Sequence, residues 1–140
     1  MTNLIILDTG PLVAYLTQGD RYHGWAKMRF QEITSTLITC QAVISEACFL
    51  IRNIPEGQQA ILEMIERKLI QTEFNLNIEA KAIKQILHKY QDVPISLADA
   101  SLVRMAEIYE HAKILTLDRD FTLYRKNKNS PLTCIAPFDY

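Results

Sequence analysis

Glycine is scarce in this chain, with four among 140 residues, and none falls in a loop of the kind that cradles a nucleotide phosphate. That excludes the nucleotide-binding enzymes built on such loops. Cysteine is as sparse: Cys40, Cys48 and Cys134 are an odd number, lie far apart and show no Cys-x-x-Cys or Cys/His spacing, so neither a disulfide framework nor a zinc site is expected. Long apolar runs are missing too. The first, Leu4 to Leu7, stops at Asp8, and no later run nears the roughly 18 residues that cross a bilayer, so the expectation is a cytoplasmic protein without a membrane partner. Nor is one sign of charge in excess. Fifteen Lys and Arg against sixteen Asp and Glu leave a net charge of -1, so a polyanion must be held by a local site. Ser45, Ser96 and Ser101 lack the Gly-x-Ser-x-Gly setting of a hydrolase nucleophile.

What is present is the composition of a folded domain, with 49% hydrophobic and 22% charged residues. At this length folding removes roughly 68% of the surface of the extended chain, enough for one core, and residues 1–140 read as a single domain. Short aliphatic runs at 4–7, 37–40, 69–74 and 113–117, with a weaker one at 132–136, predict strands. Between them, helical spacing predicts helices over 11–16, 22–34, 41–53, 58–66, 78–90 and 96–109. Strands too apolar to face water, alternating with helices, predict a three-layer α/β/α fold with a central parallel sheet of four or five strands. In the segment 41–53 apolar residues crowd so densely that most of the helix surface is expected to be covered.

In such a sheet, working residues gather at the carboxyl ends of strands. Asp8 and Asp118 directly follow two predicted strands, although a helix cap or a polar turn would account for each alone. Glu46 has Ala42, Val43, Phe49 and Leu50 as its helical neighbours, so its carboxylate is expected to point into a covered surface. There it would need a metal, or an ion pair with Arg52 or Arg104. Asp99 stands three residues after Ser96, the spacing of a capping box, which a functional role also allows. Four acids sharing a pocket repel one another unless a cation sits between them. Hard ions that take carboxylate and water oxygens, Mg²⁺ or Mn²⁺, suit that donor set, and they hydrolyse phosphodiesters through an activated water.

The stretches Leu7 to Leu16, Ile44-Ser45-Glu46, Leu97-Ala98-Asp99-Ala100 and Leu115 to Phe121 occur in the order and spacing of the acidic motifs of PIN-domain nucleases, and the chain resembles that family over nearly its whole length. The Asp20-x-x-His23 segment is also common there. The resemblance implies that Asp8, Glu46, Asp99 and Asp118 hold Mg²⁺ or Mn²⁺ for RNA cleavage. Asp120 is the auxiliary or alternative fourth acid, and Thr9, Ser96 and Thr116 support the site. It further implies a small endoribonuclease of the toxin–antitoxin type, with RNA as substrate, an antitoxin protein as partner, and a homodimeric state. Lys113, Arg119, Arg125, Lys126 and Lys128 form a local basic excess near the fourth motif, Arg119, Arg125 and Lys126 being the RNA-contact candidates, with a solvated basic loop as the plain alternative. Tyr22, Trp25 and Met28 read as core or dimer interface rather than as a base-stacking platform, since no second aromatic stripe accompanies them. The competing functions are a PIN-like protein without turnover that serves as a recognition module, and a nuclease directed at DNA.

Overall fold

The computed structural model describes residues 4–127 and 129–138, so Lys128 of the basic group lies outside the described residues. In chain order the elements are β1 (Ile5–Leu7), α1 (Thr9–Leu16), α2 (His23–Glu32), β2 (Leu37–Ile38), α3 (Gln41–Leu50), α4 (Gly57–Glu66), β3 (Ile70–Gln71), α5 (Leu76–Lys89), α6 (Leu97–Ile108), β4 (Lys113–Leu115), β5 (Arg125–Lys126), β6 (Ser130–Pro131) and β7 (Cys134–Ile135). A single 3₁₀ turn, Arg119–Thr122, follows β4. Five strands form one parallel sheet in the order β3-β2-β1-β4-β7, so the expected three-layer fold is present with five strands.

The two central strands explain the unbroken apolar runs. Ile6 and Ile114 point to one face of the sheet, where they pack with Ile83 and Ile86 of α5 and with Ala98, Leu102, Val103, Met105 and Ala106 of α6. Ile5, Leu7 and Leu115 point to the other face, against Leu12 of α1, Ala47 of α3 and Ile61 of α4. Strand side chains alternate, so a sheet covered on both sides demands apolar residues at every position. Helix ends are supplied locally: Asp8 caps α1, Asn75 caps α5 and Ser96 caps α6, each side chain accepting a backbone N–H.

Two expectations are corrected. Helix α3 is not covered round most of its surface. Its buried residues are Val43 and Ala47, followed one turn later by buried Ile51, whereas Phe49 and Leu50 are 61% and 53% exposed. Apolar density records how greasy a helix is but not which of its faces meets a neighbour. Glu46 shares that open side and is exposed rather than pointed into a covered surface. Met28 is likewise exposed, while Trp25 packs partly against the layer on the α1 side. The antiparallel hairpin of β5 and β6 was not anticipated, because its strands are two residues each and polar. A signal existed in its turn, where Asn127 and Asn129 take positive φ values of 51° and 72°.

Because neighbouring residues of β4 serve opposite layers, Ile114→Ala and Leu115→Ala should each lower stability by about 2–5 kcal/mol in urea unfolding. In a sheet buried on one face only, one of the two would cost little.

Candidate active site

The chain leaves β1 toward β2 and β3 on one side, then returns after α5 and α6 to lay β4 on the other. The order therefore reverses between β1 and β4, and their carboxyl ends open onto a crevice. Asp8 extends from β1 into it. Its backbone N–H continues the sheet by donating to Leu115 O at 3.0 Å. The side chain is only 6% exposed. One carboxylate oxygen, Oδ1, accepts the Thr9 N–H at 2.7 Å as the cap of α1, and the other, Oδ2, accepts the Thr116 hydroxyl at 2.7 Å. Thr116, fully buried, in turn accepts the Asp118 N–H at 2.9 Å. One hydroxyl thus joins the acid after β1 to the acid after β4.

Asp118 caps the 3₁₀ turn by accepting the Asp120 N–H at 2.8 Å. Gly10 lets the first turn of α1 approach this segment, since a Cβ there would stand 3.1 Å from Leu117 Cβ. Asp99 sits in the first turn of α6, where its N–H donates to Ser96 Oγ at 2.9 Å. The reciprocal half of a capping box is not what its carboxylate makes. Instead Oδ2 faces the hydroxyl of Tyr124, 3.4 Å away, and Tyr124 is a fully buried ring packed edge-on against Tyr90 and Phe121.

Asp8, Thr9, Glu46, Ser96, Asp99, Asp118 and Arg119 all line one open cleft of about 630 Å³, together with Gly10, Tyr22, Leu50, Leu117 and Phe138. Asp120 is exposed and does not line it. Nor do Arg125 and Lys126, whose charged ends donate to the carbonyls of Thr122 and Tyr124, and of Glu110. The two ion-pair partners considered for Glu46 are engaged elsewhere. Arg104 pairs with Glu79 at 2.7 Å and Glu107 at 3.2 Å, and Arg52 donates to Phe49 O at 2.7 Å.

Burial, with smaller contributions from Asp118 and Glu46, pushes the Asp8 carboxyl up to about 6 against the lowering effect of its hydrogen bonds. Asp99 rises to about 7, first from burial and then from the charges of Asp8, Asp118 and Glu46. Burial, and then the charges of Asp99, Asp120 and Asp118, push the Tyr124 hydroxyl upward. Asp8 and Asp99 therefore feel the charges of Asp118 and Glu46 across the cleft.

Every candidate ligand is an oxygen, which fits a hard divalent cation and not zinc or copper. Among the described residues no three His, Cys, Asp or Glu side chains stand close enough to enclose an ion by themselves. A cation in so open a cleft would share its shell with water. The Thr9 hydroxyl is buried beside Asp8 with no hydrogen-bond partner among the described residues, so one oxygen of the site is left for a water or a ligand. Sequence reasoning missed two supports. Thr39, buried at the end of β2, donates to Leu7 O at 2.7 Å, immediately before Asp8. Tyr124 was missed as well, and no spacing rule connects either residue to the acids.

Comparison with known proteins bears on the family and the fold. Residues 5–127 match the PIN domain family. The ribonuclease VapC26 of Mycobacterium tuberculosis (strain ATCC 25618 / H37Rv) is 33% identical over 119 residues, covering 82% of this chain and 87% of that protein. The crystal structure of Mycobacterium tuberculosis VapC20, a Sarcin-Ricin loop cleaving toxin, superposes with a TM-score of 0.75 at 20% identity, covering 85% of this chain and 93% of that one. That second likeness is one of fold.

The raised acids make a prediction about the metal-free chain. The folded protein keeps protons on Asp8 and Asp99 that the unfolded chain releases near the ordinary value of 3.8. Their contribution to stability is therefore present at low pH and is lost as pH rises through about 6 to 7. Asp99→Asn should flatten that decline and melt higher than wild type at pH about 8 in EDTA. A melting temperature at or below wild type there would mean that ionised Asp99 does not destabilise the fold.

Proposed function

The chain belongs to the PIN domain family, and from that premise we infer that it is an endoribonuclease, dependent on Mg²⁺ or Mn²⁺, acting as the toxin of a toxin–antitoxin pair. The observation that carries the reading is the convergence of Asp8, Glu46, Asp99 and Asp118 on one cleft at the reversal point of the sheet. The similarity to a ribonuclease at 33% identity supports RNA as the substrate. An antitoxin protein as partner and a homodimeric state belong to the same reading.

Asp8, Glu46, Asp99 and Asp118 are the residues that would hold the cation. When bound, it supplies an activated water and neutralises charge on the attacking and leaving oxygens of the phosphodiester. Thr116 keeps the Asp8 carboxylate turned into the cleft, because its hydroxyl donates to Oδ2 while the α1 cap holds Oδ1. Such outer partners orient a ligand and tune its basicity. Asp99, with its pKa near 7, is suited to hold or release a proton near neutral pH when no cation is present. Thr9 offers its unpartnered hydroxyl to a water or a phosphate oxygen. Arg119, at the cleft wall, opposes the negative charge that four acids would otherwise present to a polyanion. Asp118, which lines the cleft, is the better fourth acid than Asp120.

RNA incubated with the protein and Mg²⁺ or Mn²⁺ should be cleaved, and EDTA should stop it. Asp8→Asn should reduce cleavage to background while keeping the fold, since asparagine still caps a helix. Thr116→Val should lower metal affinity or activity by about 10–100-fold. Equal cleavage by wild type and Asp8→Asn would reveal a contaminant. Absence of cleavage together with absence of Mn²⁺-induced stabilisation would favour a recognition module.

A further inference from the structure

Further along the sheet from the acids, the carboxyl ends of β2 and β3 open onto a second cavity, of about 410 Å³. The strands are still paired at this level, since the Thr39 N–H donates to Gln71 O at 3.0 Å. Both then lead into helices: Cys40 precedes α3, and Thr72 to Phe74 run to Asn75, the cap of α5. Half-buried Phe74, which packs against the core layer, and Leu97 give the cavity apolar wall, while Gln41, Asn75 and Asn77 give it three carboxamides. Asn75 Oδ1 accepts the Asn77 N–H at 3.0 Å. The exposed carboxamides of Gln41 and Asn77 carry no hydrogen bond among the described residues. No Lys or Arg lines the cavity among those residues, and its one charged side chain is that of Glu73. The start of α6 is shared between the two sites, with Ser96 and Asp99 lining the cleft and Leu97 and Ser101 the cavity. Helix α3 likewise begins at the cavity with Gln41 and meets the cleft with Glu46.

A cavity without a cation does not attract a phosphate by charge. Apolar wall with a few free amide groups suits a flat, uncharged ligand that hydrogen-bonds along its edge. A nucleobase is such a ligand, held by an aromatic side chain against its face and by polar groups on its edge. A carboxamide presents a donor and an acceptor side by side, the pattern that matches the N7 and the N6 amino group of adenine, whereas guanine is most often read by Arg or Lys. The carboxylate of Glu73 adds an acceptor for an amino group, which uracil lacks. We propose that this cavity is a base-reading subsite for adenine, filled by a nucleotide flanking the phosphate at the acids, with Gln41 and Asn77 on the base edge and Phe74 against its face. The proposal rests on the ribonuclease reading above and adds a sequence preference exercised outside the acidic cleft. None of the four acidic motifs includes Gln41 or the stretch from Thr72 to Asn77.

The test has two arms, and the first needs no catalysis. Adenosine titrated at millimolar concentration into the isotope-labelled full chain, without metal, should shift the side-chain amide resonances of Gln41, Asn75 and Asn77. Uridine, cytidine and guanosine should shift them less. The second arm uses the full chain carrying Asp8→Asn, in Mn²⁺, and measures fluorescence anisotropy with labelled oligouridylates that carry a single adenosine at successive positions. Adenosine at one particular position should tighten binding by about 5- to 150-fold over plain oligouridylate. Gln41→Ala and Asn77→Ala, each checked for an unchanged melting temperature, should erase that difference. Amide resonances unmoved by adenosine, equal shifts with all four nucleosides, or a parallel loss of both oligonucleotides in the alanine variants would overturn the proposal. If the chain with Asp8 intact cleaves RNA while adenosine leaves those amides unmoved, the subsite falls and the ribonuclease reading stands. If adenosine shifts them but the chain neither binds nor cleaves RNA, the ribonuclease reading falls and takes with it the role of the subsite.

Discussion

The bond from the Thr116 hydroxyl to Asp8 spans 108 residues of sequence and closes the point where the sheet reverses. It satisfies a buried carboxylate oxygen that would otherwise be costly to bury. It also ties the exit of β1 to the exit of β4 and, through the Asp118 N–H, sets the path of the segment that brings the fourth acid. Asp8 is thus a helix cap, a sheet-end latch and a candidate ligand at once. Those roles do not compete, because each uses a different atom or a different lone pair of the same side chain.

Around that bond, burial of carboxylates, with a smaller contribution from like charges, is the unfavourable feature of the cleft, and the surrounding fold is what sustains it. Asp8 is held from α1 and β4, Asp99 stands on the first turn of α6, and Glu46 stands on the open side of α3. These elements are fixed by two apolar layers on opposite faces of one sheet. Of the four acids Asp8 is the buried one, Asp99 and Asp118 are partly buried and Glu46 is exposed, so the fold constrains Asp8 most. Burial first and the neighbouring charges second raise Asp8 and Asp99, and a divalent cation is the chemical partner that would offset both.

How much could be read beforehand depended on whether the signal was local. Strand 4–7 is legible because a strand covered on both faces has no polar alternation, and Asp8 is legible because it interrupts that run before Thr9-Gly10-Pro11. The Ser96 cap is legible from spacing alone, and its N–H acceptance is as expected, although the carboxylate of Asp99 turns to Tyr124 instead of back to Ser96. Glu46 was expected in the site for a partly mistaken reason. Its apolar neighbours Phe49 and Leu50 are exposed, so it reaches the cleft from an open face and not from a covered one.

Taken alone, the order of residues determined the α/β alternation, the strand ends at which acids sit, and the all-oxygen donor set, because periodicity, capping and ligand chemistry are properties of neighbours along the chain. The tertiary structure decided which of those acids share a cleft, which hydroxyls support them, and which basic residues face them. Arg125 and Lys126 are held by backbone carbonyls outside the cleft, while Arg119 lies along its wall. Thr39 and Tyr124 support the site from β2 and from the segment after the 3₁₀ turn. Such assignments depend on strand order and on which helix face meets the sheet, and both are set by packing between segments that carry no mark of one another in sequence.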